Sequence, residues 1–131
     1  MTQHEAAELV QQFLQLMEAR DLEQANSMIS SDARIVFPGG KLFASQAEMV
    51  AAASGRYQWV KKTFDHIDVV SDGIEFVVYV IGTLHGVNYH GAEFSGIRYI
   101  DRFVVRGKQI VSQEVWNDLA ESGVLERKKH G

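Results

Sequence analysis

Apolar residues recur at helical spacing in the first part of the chain. Thr2 and Glu5 form a Thr-x-x-Glu capping box, and one apolar stripe follows it at Ala6, Leu9, Val10, Phe13, Leu16 and Met17. A weaker helix start lies at residues 21–24, and a second capping box lies at residues 45–48. The pattern predicts three amino-terminal helices, with a strand over residues 33–37 between the second helix and the third.

From Lys62 onward the apolar residues alternate with a period of two, as they do in β-strands. We expect a strand around residues 63–70, a long strand over 74–85 that is apolar on both faces, and a final hairpin over 93–119. A strand with two apolar faces needs cover on both, so we expect the helices on one side and a partner subunit on the other. The expected architecture is α+β, with three helices packed on one strongly curved sheet, in a single domain over residues 1–131.

The final hairpin carries the most specific prediction, a pair of opposed carboxylates. Its turn is the Gly-Lys dipeptide at residues 107–108, with glycine first, as a two-residue type II′ turn requires. This register places Asp101 opposite Glu114, and Tyr99 opposite Trp116, on one face of the hairpin. Two carboxylates about 5 Å apart at Cβ repel each other, so one of them should have a raised pKa. Such a pair, one group protonated and one ionised, suits general acid–base catalysis.

Composition narrows the classes of protein that fit. The chain has no cysteine, which excludes disulfides and cysteine-ligated metals, and no apolar run approaches the roughly 20 residues of a membrane span. The net charge is −4 and the basic residues cluster only at residues 127–129, which argues against nucleic-acid binding. His66 and Asp68 share a strand face but lack a third ligand nearby, so we expect no metal and no cofactor. The polar, acidic amino terminus is not a signal peptide, so we expect a cytoplasmic protein.

Aromatic side chains are the candidates for the wall of a ligand pocket, which favours a flat, mostly apolar small molecule. They are also the ordinary filling of a small core. The candidates are Phe13, Phe37, Tyr57, Trp59, Tyr79, Tyr99, Phe103 and Trp116. His85 is a candidate proton shuttle. An odd-length loop near residues 88–91 would place His85 and Tyr79 on the Asp101 face of the sheet, and an even-length loop would not.

The chain resembles the nuclear transport factor 2-like superfamily, and within it the SnoaL-like family. The resemblance runs from the helix that contains Phe13, through ARIVFPGG, to VWNDL. It implies a conical, cystatin-like half-barrel in which an antiparallel or mixed sheet packs on the helices, with a ligand pocket at the wide end. It also implies a homodimer that forms through the convex face of the sheet.

Ketosteroid isomerases of this fold allow a comparison position by position. Their general-base aspartate lies just before the proline of the first strand, where this chain has Phe37. Their oxyanion-hole tyrosine lies on the first helix, where this chain has Phe13, whereas their oxyanion-hole aspartate matches Asp101. The resemblance therefore does not extend to their specific reaction.

Two other groups of the fold are similar around the final hairpin. Limonene epoxide hydrolases have two aspartates placed like Asp101 and Glu114, but their arginine position is Tyr99 here. SnoaL-like cyclases use a pocket aspartate, sometimes with a histidine, and Asp101 with His85 resembles that arrangement.

The resemblance implies a cofactor-independent isomerase, cyclase, hydratase or hydrolase that acts on an apolar, ring-containing metabolite. In this interpretation Asp101 is the principal acid or base, Glu114 is its partner, Tyr99 donates a hydrogen bond and Trp116 forms part of the wall. The alternative is a non-catalytic ligand-binding or dimeric assembly module of the same fold. Phe37 favours the alternative, because an aromatic side chain at the base position shrinks the reactive end of the pocket.

Overall fold

The computed structural model describes residues 1–129, which form helices and strands in the order helix, helix, strands, helix, strands, helix. The elements are α1 (Gln3–Glu18), α2 (Leu22–Asn26), β1 (Ile29–Phe37), β2 (Lys41–Phe43), α3 (Gln46–Ala53), β3 (Tyr57–Lys62), β4 (His66–Ser71), β5 (Phe76–Asn88), β6 (Glu93–Arg106), β7 (Gln109–Asn117) and α4 (Leu119–Ser122), followed by a 3-10 turn at Val124–Glu126. Within residues 1–129, no helix is long and apolar enough to cross a membrane.

The helix starts follow from side-chain capping, as predicted. The Thr2 hydroxyl accepts a hydrogen bond from the Glu5 backbone N–H at 3.1 Å, and the Glu5 carboxylate accepts one from the Thr2 N–H at 2.9 Å. Ser45 caps α3 in the same way, accepting from the Glu48 N–H at 3.1 Å. These bonds satisfy backbone donors that the first turn of a helix leaves free.

The strands form one curled, mixed sheet in the order β2-β1-β7-β6-β5-β3, with β4 also paired to β5. β1 runs parallel to β7, and the remaining pairs are antiparallel. Neither β2 nor β3 was predicted, and the strand expected around residues 63–70 begins only at His66. The extra strands extend the sheet, which curls into a half-barrel around α1.

The core lies between α1 and the concave face of the sheet. Phe13 of α1 and Phe103 of β6 are both fully buried, and their rings meet edge to face with centroids 5.9 Å apart. Both were candidates for the pocket wall, but neither lines the cavity described below. They belong to the core because each lies where the helix packs directly on the sheet.

The hairpin between β6 and β7 has the predicted turn length but not the predicted register. Arg106 pairs with Gln109 across the turn, whose two residues, 107 and 108, have φ of 57° and 66°. Two positive φ values are the pattern of a type I′ turn, so the predicted type II′ turn is wrong.

A β-bulge beside the turn shifts the register of the whole hairpin. Val105 pairs with Ile110, but Val104 pairs with Ser112, so Val111 is an extra residue on β7. Because side chains alternate along a strand, one extra residue sends every later side chain of β7 to the other face.

The prediction that Asp101 faces Glu114 is therefore wrong. Asp101 pairs with Val115, and Glu114 pairs with Arg102. The predicted pairing of Tyr99 with Trp116 is wrong for the same reason.

Candidate functional site

A cavity of about 390 Å³ lies between the helices and the concave face of the sheet. Five elements, α1, β1, α3, β3 and β5, contribute to its apolar wall and so close the space from several sides. The wall includes Leu14, Met17, Phe37, Met49, Tyr57 and Leu84. The volume lies within the usual range for small-molecule sites, roughly 300–1,000 Å³. A small ring system therefore fits inside.

Asp101 and Lys62 form a charged pair at the cavity wall. The Lys62 Nζ lies 2.5 Å from the Asp101 Oδ2, and the Oδ1 is buried without a hydrogen-bond partner among the described residues. Asp101 is 0% exposed, whereas 23% of the Lys62 side chain is accessible. The ammonium group is therefore exposed to the cavity, and the carboxylate lies behind the ammonium group.

The environment of Asp101 disfavours its ionised form. Burial raises the pKa of Asp101, and the charge and hydrogen bond of Lys62 oppose that rise without reversing it. Desolvation thus outweighs the ion pair, as it does for many buried carboxylates.

Tyr99 lies beside this pair, and its phenol is held by the backbone. Its hydroxyl donates a hydrogen bond to the Thr63 carbonyl at 2.6 Å, and the Lys62 Nζ lies 4.7 Å from the centroid of its ring. Burial raises the pKa of Tyr99, and the negative charge of Asp101 raises it further. The phenol therefore stays neutral, with its proton committed to Thr63.

Gly82 allows the segment after β3 to approach the concave face. A Cβ at Gly82 would lie 2.1 Å from the Thr63 carbonyl oxygen, so only glycine fits this close contact. The Thr63 carbonyl that accepts from Tyr99 follows Lys62 directly in the chain. A small residue on β5 thus helps to place the lysine beside Asp101.

Two glutamines add a second polar group to the cavity wall. The Gln46 Nε2 donates to the Gln113 Oε1 at 3.1 Å, and both side chains are buried. The Gln46 Oε1 is buried without a partner among the described residues. Gln113 reaches the concave face because the bulge at Val111 reverses the later part of β7.

Of the predicted site residues, Asp101, Tyr99, Phe37 and Tyr57 line the cavity. Phe37 packs edge to face against Phe43, with ring centroids 5.3 Å apart, and the cavity remains open beside it. Phe37 was expected to shrink the reactive end of the pocket. It lies against the wall and leaves the cavity open.

Glu114 and Trp116 lie on the outer face of the sheet, so their predicted places in the pocket are wrong. Glu114 accepts a hydrogen bond from the Arg102 guanidinium at 3.1 Å and has the Arg34 guanidinium 4.0 Å away. Trp116 is 49% exposed and lies beside Ile100. The bulge at Val111 is the physical reason for both errors.

His85, Tyr79 and Trp59 also lie on the outer face. On β5, Val80 pairs with Asp101 and is fully buried, and residues an odd number of positions from Val80 point the other way. Tyr79 and His85 therefore face away from the cavity, and the exposed Trp59 packs edge to face on His85 with centroids 6.0 Å apart. The loop itself is odd in length, since Val87 pairs with Glu93, but a register shift between Leu84 and Gly86 reverses the pairing that an odd-length loop predicts.

Sequence reasoning missed Lys62, Gln46 and Gln113. The period of two begins at Lys62, and the pattern does not predict β3, so no signal assigns the Lys62 side chain to a face of the sheet. Across residues 1–129, no group of three or more His, Cys, Asp or Glu side chains is arranged to hold a metal ion.

The fold agrees with what similar proteins show. Residues 10–113 match the model of the SnoaL-like domain, and the chain belongs to that family. No match was found among curated proteins.

Solved structures with the same fold cover nearly the whole chain. An NTF2-like protein of unknown function from Burkholderia pseudomallei is 17% identical, with a TM-score of 0.77 over 97% of this chain and 100% of its own. TerC, co-crystallised with polyporic acid, is 17% identical, with a TM-score of 0.72 over 92% of this chain and 97% of its own. A protein from Xanthomonas campestris proposed to be a polyketide cyclase is 14% identical, with a TM-score of 0.68 over 94% and 98%. The predicted α+β, NTF2-like half-barrel is thus confirmed.

Proposed function

We propose that this protein binds a small, ring-containing molecule in the cavity and catalyses acid–base chemistry on it without a cofactor. The observation that carries the proposal is the Lys62–Asp101 pair, in which a buried carboxyl with a raised pKa holds an ammonium group at the wall of an apolar cavity. Perturbed titratable groups in an enclosed pocket are typical of catalytic sites.

In this proposal Lys62 acts on the substrate directly. Its ammonium group donates a hydrogen bond to a carbonyl oxygen and stabilises negative charge that develops there. Asp101 lies behind Lys62 and fixes its position, and its ionised carboxylate accepts the proton that the substrate loses when Lys62 moves aside. Isomerisation, cyclisation and dehydration share this step, since each passes through an enolate or a related anion.

The proteins of similar structure support a small organic ligand. TerC was co-crystallised with polyporic acid, and the Xanthomonas protein is proposed to be a polyketide cyclase. Both statements concern those proteins, and the fold alone is shared at these identities.

Turnover of a panel of cyclic ketones, enones and epoxides, followed by NMR, tests the proposal. We expect Asp101→Asn and Lys62→Met each to lower the rate by about 100-fold or more. Glu114→Gln is the matched control, since its carboxylate lies on the outer face, and it should leave the rate unchanged. Equal turnover by Asp101→Asn and the parent protein would contradict the catalytic role of the pair.

The complete burial of Asp101 favours a second candidate, a non-catalytic binding module. A carboxyl that is 0% exposed does not touch a ligand unless Lys62 moves aside. In this case the variants at both positions bind ligands normally, and no compound in the panel is converted.

The proposal also includes a homodimer that forms through the outer face of the sheet. Ile100, Trp116 and Trp59 are 41–49% exposed there, and a patch of this kind often marks an interface. Sedimentation at micromolar concentration tests the dimer, and a monomer under those conditions would exclude it.

A further inference from the structure

The residues that line the cavity are more positively charged than the net charge of the chain would suggest. Arg20, Lys41 and Arg56 line it, and Glu18 is the acidic residue that lines it besides Asp101. Asp101 is already paired with Lys62. The protein nevertheless carries a net charge of −4, so the cavity stands out as a cationic site in an acidic protein.

Neutral groups hold these three cations at the cavity. The Arg20 Nη1 donates to the Met17 carbonyl at 2.5 Å. The Lys41 Nζ lies 5.2 Å from the centroid of the Phe43 ring, and the Arg56 guanidinium carbon lies 5.8 Å from that of Tyr57.

None of the three cations is neutralised by the protein. Among residues 1–129, no carboxylate lies within 4.0 Å of the charged nitrogens of Arg20, Lys41 or Arg56. The outer-face arginines Arg98 and Arg102, by contrast, each pair with a carboxylate. The cavity cations are therefore positioned and available to an anion from outside.

A second polar feature of the wall points to a ligand with a hydroxyl group. Gln46 is 1% exposed, and its Oε1 is buried without a donor. A buried acceptor without a partner destabilises the folded protein, and a ligand O–H group offsets that cost when it binds.

We propose that the ligand is a hydroxylated ring compound that carries a carboxylate. The carboxylate binds among Arg20, Lys41 and Arg56, the ring contacts the apolar wall, and the hydroxyl group donates to Gln46. This proposal deepens the proposed function, on which it rests only for the location of the site. It adds a carboxylate and a hydroxyl group to the mostly apolar, ring-containing ligand expected from the sequence.

A matched pair of probes, 2-naphthoate and 2-naphthamide, isolates the effect of the charge. Both have the same ring system, and titration by intrinsic fluorescence or calorimetry measures their affinities. We expect the naphthoate to bind about tenfold more tightly than the naphthamide, because the cavity concentrates anions. Raising the salt to about 1 M should remove most of that difference, since the Debye length falls to about 3 Å. Equal or tighter binding of the naphthamide, or no binding of either probe at millimolar concentration, would overturn the proposal.

Substitution of the cations locates the charge effect. Arg20→Gln, Lys41→Met and Arg56→Gln should each weaken naphthoate binding by roughly threefold, as for partly exposed ion pairs, and leave naphthamide binding unchanged. Arg98→Gln on the outer face is the control and should change neither affinity. A loss that affects both probes equally would show that the substitutions disturb the fold and not the anion site.

The 6-hydroxy derivative of 2-naphthoate tests the hydroxyl group. It should bind more tightly than 2-naphthoate to the parent protein, and Gln46→Leu should remove the gain. Failure of the proposed catalysis can be distinguished from failure of the proposed ligand. If only the catalysis fails, Asp101→Asn binds the naphthoate normally and no compound is turned over.

Discussion

The two faces of strands β6 and β7 carry carboxylates in opposite environments. Asp101 lies on the concave face, fully buried, and its partner is the ammonium group of Lys62. Glu114 lies on the outer face with 22% of its side chain exposed, between the guanidinium groups of Arg102 and Arg34. Burial raises the pKa of Asp101, because the low-dielectric interior penalises its charge.

The difference teaches that position in the sheet, and not residue type, decides which carboxylate is placed for acid–base chemistry. A single extra residue at Val111 assigns Glu114 to the outer face and Gln113 to the cavity. The concave face thus combines one acid with one base and a neutral amide pair, whereas the outer face combines acids with arginines in ordinary surface pairs.

Lys62→Met should have the largest effect on stability. It leaves a buried carboxyl without its partner, and the free energy of unfolding should fall by about 3 kcal/mol at pH 7. Arg102→Met, the matched change beside Glu114, should cost less than about 1 kcal/mol. Urea denaturation measures both. Equal losses would show that the two pairs do not differ as described.

The pH dependence of Lys62→Met sharpens that prediction. The substitution raises the pKa of Asp101 further in the folded state, so the protein binds more protons folded than unfolded. Stability should therefore recover as the pH falls through the folded pKa. The double variant Lys62→Met/Asp101→Asn should show neither the fall in the free energy of unfolding nor its pH dependence.

Gly82→Ala should destabilise the concave face next most strongly. The new methyl group would meet the Thr63 carbonyl oxygen at 2.1 Å, and overpacking of this kind costs about 2 kcal/mol. Gly55→Ala is the control, because its Cβ meets nothing within 4 Å and should change stability by less than about 0.5 kcal/mol. Thermal unfolding of both variants compares them, and an unchanged Tm for Gly82→Ala would refute the close approach of Thr63.

Asp101→Asn should make the protein as stable as the parent or more stable at neutral pH. The folded pKa of Asp101 is raised, so its contribution to stability is fully present below the unfolded pKa and is lost as the pH rises through the folded pKa. Asparagine removes that loss, and the advantage of the variant should grow with pH above about 4. Denaturant titrations at several pH values measure it. A variant that is markedly less stable at pH 7 would mean that the ion pair outweighs burial.

Trp116→Ser should have the smallest effect on the cavity. Trp116 is half exposed on the outer face, so the substitution should leave the affinity for 2-naphthoate unchanged while it weakens the proposed dimer. Sedimentation and probe titration on the same sample separate the two properties. A change in probe affinity would show that the two faces are coupled.

Much of the fold follows from local patterns in the sequence. The capping residues Thr2 and Ser45 mark helix starts because their side chains bond to backbone donors three residues away. The alternation along β6 places Tyr99 and Asp101 on one face, as predicted, because that face is set within a single strand.

The errors arose where long-range contacts decide the outcome. The bulge at Val111 has no glycine to mark it and lies in an apolar run with Ile110, so the sequence gives no reason to expect an extra residue. The partner of Asp101 lies 39 residues away on a strand that was not predicted. Because this contact is long-range, local patterns did not reveal Lys62.

The titration of the Asp101 carboxyl carbon, followed by NMR and assigned with Asp101→Asn, tests the central claim most directly. The account predicts a midpoint above the ordinary value of about 3.9 for aspartate, and a different midpoint when 2-naphthoate occupies the cavity. A midpoint at or below about 3.9 that the ligand leaves unmoved would contradict the assignment of Asp101 to a functional cavity.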